Sequence, residues 1–138
     1  MTGEYLAIFD LDGTLLDTSS SICRTLMFTL DELKLPPLES NQIIGAIGKP
    51  LKEILLPLKL PIDIEEAVVK RFRELLQVDI QRGVKTFPGV IEFVTDLDRR
   101  SIRLSVATSK PTLLAKESVK FSQLSSFNFT ILENNFQF

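Results

Sequence analysis

Tyr5-Leu6-Ala7-Ile8-Phe9-Asp10-Leu11-Asp12-Gly13-Thr14-Leu15-Leu16-Asp17 is an apolar run that ends abruptly in two carboxylates, a glycine and a threonine. Tyr5 to Phe9 do not alternate with polar residues, the pattern of a strand buried on both faces in a parallel sheet between helices. Asp10 follows at the carboxyl end of that strand, where open α/β sheets hold their ligands. Asp12 lies two residues further on, and in extended chain that spacing turns both carboxylates to the same side. Gly13 permits the positive-φ backbone needed to leave the strand while staying close to a ligand. Asp-Gly is also an ordinary turn dipeptide, and on that reading the acids are its solvated flanks.

The segment resembles the first motif of the haloacid dehalogenase-like phosphohydrolases, Asp-x-Asp-Gly-Thr after the first strand. The resemblance implies that Asp10 is the nucleophile and Asp12 the general acid/base. It also implies that one Mg2+ is held by Asp10 and Asp12, the latter through its backbone carbonyl so that its side chain stays free. The chemistry is coherent by itself. A carboxylate attacking phosphorus splits ester hydrolysis into two easier steps. A second acid protonates the leaving alcohol and then takes a proton from water. Mg2+ prefers carboxylate, carbonyl and phosphate oxygens and offsets the like charge of nucleophile and phosphate. Gly13 and Thr14 fall where the loop would touch the phosphoryl group.

At 138 residues, with 44% hydrophobic and 25% charged residues, the chain has the size and balance of one soluble globular unit. The net charge of -2 gives no basic footprint for nucleic acid. No segment approaches the roughly 20 apolar residues of a membrane span. The apolar run before Asp10 is too short for a secretory leader, so a cytoplasmic protein is expected. Cys23 falls in a helical pattern and reads as a buried, unreactive thiol. The absence of histidine removes His-based triads and most zinc sites.

Thr18-Ser19-Ser20-Ser21 supplies an N-cap for a helix whose apolar positions are Ile22, Leu26, Leu30 and Leu33, ending before Pro36-Pro37. Short helices are expected over 39–46 and 51–56, separated by a turn containing Gly45, Gly48, Lys49 and Pro50. Asp63 is placed to cap a longer helix with Ala67, Val68, Phe72, Leu75, Leu76 and Ile80 inward and Lys70, Arg71 and Arg73 on a solvated face. This helical stretch interrupts an α/β pattern and reads as an insertion. The resemblance implies a helical cap of the phosphoglycolate phosphatase-like type over 19–82, with an α/β core over 1–18 and 83–138. The implied fold is an incomplete Rossmann-like parallel sheet with that cap inserted. Such caps close over a site and exclude water. Gly48 and Lys49 align loosely with the cap loop that reaches the substrate, although an exposed turn lysine reads equally well there.

Pro88 fits the first turn of a helix with Ile91, Val94 and Leu97 inward. Asp96 and Asp98 repeat the Asp-x-Asp spacing, but on a helix they point about 200° apart and read as surface charge. Ile102 to Ala107 is a second strand, with Thr108-Ser109-Lys110-Pro111 at its carboxyl end and a helix from Thr112 to Phe121. Thr108 resembles the family's second motif, whose hydroxyl donates to the phosphoryl group. Ser109 offers a backbone amide near the same oxygens at a helix start. Lys110 belongs to this second motif and is not the family's separate third-motif lysine.

Residues 127–132 suit a third strand. The resemblance implies a further basic residue and a further acidic pair, and neither can be located in the sequence. Without the strand that bears that acidic pair, Tyr5 to Phe9 would present an unpaired edge, a template for association. Phe127, Phe129, Phe136 and Phe138 likewise suggest surface awaiting a partner. The chain is therefore expected to pair with another copy through the open sheet edge, or to be the leading portion of a longer product. Two functional readings follow: an Mg2+-dependent phosphatase of small phosphorylated metabolites, or an impaired relative acting through phosphate binding or protein contacts. A phosphomutase would use the same aspartates, whereas carbon-halogen chemistry does not require the second acid.

Overall fold

Three short strands form one parallel sheet in chain order: β1 (Leu6–Phe9), β2 (Arg103–Val106) and β3 (Phe129–Ile131). The computed structural model describes residues 4–133, so Phe136 and Phe138 lie outside the described residues. Between β1 and β2 run α1 (Ser19–Glu32), α2 (Ser40–Gly45), α3 (Leu51–Leu55), α4 (Ile62–Gln81) and α5 (Val90–Arg99), and α6 (Thr112–Lys120) joins β2 to β3. Parallel neighbours cannot be joined by a hairpin, so each connection is a crossover. The first crossover carries the helical insertion, and the architecture is α/β with a parallel sheet.

Register distributes the strand residues between two environments. Leu6 to Phe9 pair with Arg103 to Val106, and Leu104 to Val106 pair with Phe129 to Ile131. Ala7, Phe9, Leu104, Val106, Phe129 and Ile131 therefore share one face, and all pack in a cluster with Val94 of α5 and Ala115 and Val119 of α6. Phe9 meets Phe93 and Phe129 edge-on at 6.1 and 6.5 Å. The opposite face does not match the expectation of a strand buried on both sides. Leu6 and Ile8 are 48% and 56% exposed, because β1 is the sheet edge among the described residues and nothing there covers its second face.

The second cluster belongs to the helical insertion. Leu26 and Leu30 of α1, Ile43 of α2, Leu55 of α3 and Val68, Phe72 and Leu76 of α4 are buried together. Val69 is also inward, while Ala67 is exposed. The longer helix starts at Ile62 behind Pro61, so Asp63 sits in its first turn instead of capping it. There its charge favours the helix N-terminus. Arg71 is drawn to Glu32 of α1 at 2.6 Å and to Glu74 at 3.2 Å instead of lying free in solvent. Those carboxylates hold the Arg71 guanidinium above its ordinary value, and Arg71 lowers that of Glu32. Cys23 is buried.

Two of the ties between the insertion and the sheet layer are in its connectors and in α6. Its outgoing and returning chains run side by side, with the Asp17 amide on the Lys85 carbonyl at 2.8 Å and the Phe87 amide on the Leu15 carbonyl at 3.2 Å. Helix α6 is shared: Leu114 packs in the helical cluster, whereas Ala115 and Val119 pack in the sheet cluster. No helix among the described residues is long and apolar enough to cross a membrane. Truncating Leu26, fully buried in the helical cluster, removes packing that its neighbours cannot wholly refill. Leu26→Ala is expected to lower the unfolding free energy by about 2–5 kcal/mol, read from urea denaturation monitored by circular dichroism.

Candidate active site

The loop after β1 is pinned from beneath by three leucines. Leu11, Leu15 and Leu16 are buried in the sheet cluster, each contributing on the order of 1.5–3 kcal/mol of hydrophobic stabilisation. The Leu11 carbonyl accepts the amides of Thr14, Leu15 and Leu16 at 3.2, 3.0 and 3.0 Å, and the Gly13 amide donates to the Leu16 carbonyl at 3.0 Å. Gly13 has φ of 79°, a left-handed conformation that suits a residue without Cβ. Asp10 and Asp12 flank the buried Leu11 on a tightly fastened loop.

The two carboxylates lie in different settings. Asp10 is exposed just beyond β1, and its Oδ1 accepts the Leu11 amide at 2.7 Å. The Asp12 carboxylate is not free, contrary to the expectation. Its Oδ1 accepts the Thr18 hydroxyl at 2.7 Å and the Lys110 Nζ at 2.9 Å. The Lys110 and Asp12 side chains are only 5% and 11% exposed. Removed from water, a cation and an anion at this separation interact far more strongly than a surface pair. Thr18 stands at the N-cap position of α1 but makes no capping hydrogen bond, because its hydroxyl is engaged by Asp12.

The tip of β2 arrives beside the tip of β1, since the Ala107 amide donates to the Phe9 carbonyl at 2.8 Å. The Thr108 Oγ1 accepts the Lys110 amide at 3.1 Å. The Ser109 hydroxyl donates to the Gly48 carbonyl at 2.8 Å, fastening the cap turn to the sheet-end loop. Gly48 has φ of 100°, and Lys49 is exposed beside it. Gly13 and Thr14 are both exposed.

A hollow lies between cap and core. Asp12, Ser109 and Lys110 border it from the core side, and Gly48, Lys49 and Arg73 from the cap side. Much of the remaining wall is aliphatic or aromatic, including Ile22, Ile54, Phe72 and Leu76. Asp10, Gly13, Thr14 and Thr108 are not in its wall. Arg73 departs from the expected solvated face: it is half-buried, and desolvation pushes its guanidinium below the ordinary value.

Among the described residues no three acidic, histidine or cysteine groups stand close enough to form a metal cluster. Mg2+ does not require one, because it commonly takes one or two carboxylates and completes its shell with water and substrate phosphate. The exposed Asp10 carboxylate, with the Asp12 main-chain carbonyl in the same loop, is a donor set of suitable hardness for this cation.

Three residues of this site were not singled out by the sequence reading: Thr18, Lys110 and Arg73. A signal for Lys110 was present, since a lone cation at one strand tip complements the paired carboxylates at the next. Arg73 had none, because its inward turn depends on where α4 packs.

The chain matches the haloacid dehalogenase-like hydrolase family model over residues 7–137. It is 33% identical over 133 residues to a phosphoglycolate phosphatase of Caulobacter vibrioides, covering 92% of this chain and 56% of that protein. It is 35% identical over 127 residues to a probable phosphatase of Dickeya dadantii, covering 88% and 55%. A haloacid dehalogenase-like hydrolase of Streptococcus pneumoniae superposes with a TM-score of 0.82 at 28% identity, covering 98% of this chain and 63% of that one. The chain thus spans about half the length of the curated relatives it matches.

The buried ion pair is open to direct measurement. Lys110→Met leaves the Asp12 charge without its partner and is expected to destabilise the fold by about 3 kcal/mol in chemical denaturation. Combining it with Asp12→Asn is expected to recover a large part of that loss, a non-additivity that marks direct coupling.

Proposed function

The chain belongs to the haloacid dehalogenase-like hydrolases, and we propose on that premise that it supplies the nucleophile and general acid/base of a phosphatase acting on small phosphate esters. The single observation that carries the reading is the fixed Asp12 carboxylate, held by Thr18 and Lys110 at the wall of a hollow, with Asp10 two residues away on the same pinned loop.

In this proposal an Asp10 carboxylate oxygen attacks phosphorus, the phosphorus–oxygen bond to the leaving group breaks, and an aspartyl phosphate forms. Asp12 delivers a proton to the departing alkoxide. It then takes one from the water that attacks the same phosphorus, so that phosphate is released and Asp10 is restored. Thr18 and Lys110 occupy Oδ1 of Asp12, which supports Oδ2 as the oxygen that exchanges the proton. Thr108 donates its hydroxyl and Ser109 its amide to the phosphoryl oxygens, with Gly13 and Thr14 closing the loop side. Mg2+, held by the Asp10 carboxylate and the Asp12 main-chain carbonyl, would supply charge neutralisation between nucleophile and phosphate. Gly48 and Lys49 stand on the cap turn that faces the leaving group in this proposal, and the Ser109–Gly48 hydrogen bond fastens that turn to the core. The name of the Caulobacter vibrioides relative supports small phosphorylated metabolites as the substrate class, phosphoglycolate among them.

A second reading has its own observation. Tyr5, Leu6 and Ile8 are exposed on an edge strand whose outer side is unpaired among the described residues. Such an edge favours association, including pairing with a second copy of this chain.

Phosphate release from an aryl phosphate in the presence of Mg2+ tests the first reading. Asp10→Asn is expected to fall to background and Asp12→Asn by about 100-fold or more; activity unchanged by Asp10→Asn would remove the nucleophile assignment. For the second, sedimentation velocity is expected to show concentration-dependent association that Ile8→Lys suppresses, since a charge on the edge strand opposes pairing.

A further inference from the structure

The outer side of β1 carries a pattern of its own. The Tyr5 carbonyl accepts the Arg103 amide at 3.0 Å, and the Phe9 carbonyl accepts the Ala107 amide at 2.8 Å. Main-chain groups alternate between the two sides of a strand, so those of Leu6 and Ile8 point away from β2. Among the described residues nothing pairs with them, since β1 ends the sheet. Tyr5, Leu6 and Ile8 are exposed along the same margin, and an exposed acid stands at either end of it, Glu4 before the strand and Asp10 after it.

Two copies of one chain that meet about a two-fold axis bring identical edge strands together antiparallel. Hydrogen bonding then sets Leu6 against Leu6, Ile8 against Ile8, or Leu6 against Ile8. The first arrangement puts Glu4 opposite Ile8 and the second puts Asp10 opposite Leu6, a charge against an apolar side chain in each case. The third puts Tyr5 opposite Phe9 and Glu4 opposite Asp10, so that apolar meets apolar along the whole strand. Its one fault is the acid pair, because like charges directly opposite each other are destabilising. Arg103, 3.3 Å from Glu4, offsets one of the two acids and leaves each corner with a net negative charge.

A divalent cation removes that fault. Directly opposed residues of antiparallel strands have Cβ atoms about 4.5–5.5 Å apart, close enough for two carboxylates to share one ion. Asp10 also has the Asp12 main-chain carbonyl in its own loop as a hard donor, and Mg2+ takes one or two carboxylates and completes its shell with water. The Asp12 carboxylate is engaged by Thr18 and Lys110, so a second carboxylate for an ion at Asp10 has to come from elsewhere.

We infer that Mg2+ links two copies of this chain edge to edge, held at each corner between Asp10 of one copy and Glu4 of the other. The inference rests on the reading of β1 as an associating edge and names what makes its acidic ends compatible. Each copy thereby lends a carboxylate to the metal position of the other.

The test is sedimentation velocity over a concentration series of the full chain in Mg2+ and in EDTA. Added NaCl equalises the ionic strength, so that simple screening of charge is the same in both. Mg2+ is expected to lower the dimer dissociation constant about tenfold or more, because an ion bound better by the dimer than by the monomer favours the dimer by mass action. Glu4→Gln is expected to shrink the Mg2+ effect to about twofold or less. Glu4→Lys sets a cation opposite Asp10 and is expected to dimerise in EDTA, with no further gain from Mg2+. Glu4 is exposed, so both variants are expected to keep the circular dichroism spectrum of the unmodified chain. A monomer under every condition, Glu4→Lys included, would remove the edge reading and the inference together. Equal association in Mg2+ and EDTA, a Mg2+ effect that survives Glu4→Gln, or a Glu4→Lys chain that stays monomeric while the unmodified chain dimerises would overturn the inference and leave the edge reading standing.

Discussion

One carboxylate oxygen, Oδ1 of Asp12, joins three segments that are distant in sequence. It lies in the loop after β1, receives the hydroxyl that opens α1, and receives the ammonium from the loop after β2. Each segment also buries apolar residues nearby, Leu11, Ile22 and Leu114 among them, and the polar contact adds a directional link between the three. The arrangement is stable only because both charges are present together. Either charge alone, withdrawn from water at this depth, would carry a desolvation cost without the attraction of the opposite charge.

Around that contact the apolar side chains divide into a sheet cluster and a helical cluster, and the division explains why the site is a seam. Helix α6 belongs to both clusters, and Val84 touches both where the chain returns from the insertion. Gln77 of α4 donates to Glu117 of α6 at 3.1 Å across the same boundary. The cap turn is anchored at its tip by the Ser109–Gly48 hydrogen bond. A ligand entering the hollow therefore meets side chains of the helical cluster on one side and the loops at the strand tips, with Asp12, Ser109 and Lys110, on the other.

Much of this was legible in the sequence where local pattern and tertiary role coincide. The apolar spacing of Ile22, Leu26 and Leu30 set the inward face of α1, and Pro36-Pro37 marked where it had to stop. Ile91, Val94 and Leu97 did the same for α5, which Gly89 opens in a left-handed conformation. The reading failed where a residue's environment is decided by distant neighbours. Tyr5 to Phe9 looked like an interior strand because composition reports what a strand is suited to, whereas exposure depends on what lies beside it. Thr18 was read as a cap because Thr before a helix normally is one, and only the tertiary placement of Asp12 diverts its hydroxyl. Arg73 was invisible as a site residue for the same reason, and for Lys110 the only signal was its place at the second strand tip. A long cationic side chain can reach solvent or turn inward, and the sequence does not record which neighbour lies within reach.

The two chains that enter and leave the helical insertion are stitched together at Asp17–Lys85 and Leu15–Phe87. Paired connectors of this kind oppose sliding more than rotation, so the displacement they resist least is a swing of the helical layer like a page about its spine. Such a swing would have to break the Ser109–Gly48 and Gln77–Glu117 hydrogen bonds. The hollow would then widen between Lys49 and Arg73 on one side and Asp12, held to the second strand tip by Lys110, on the other.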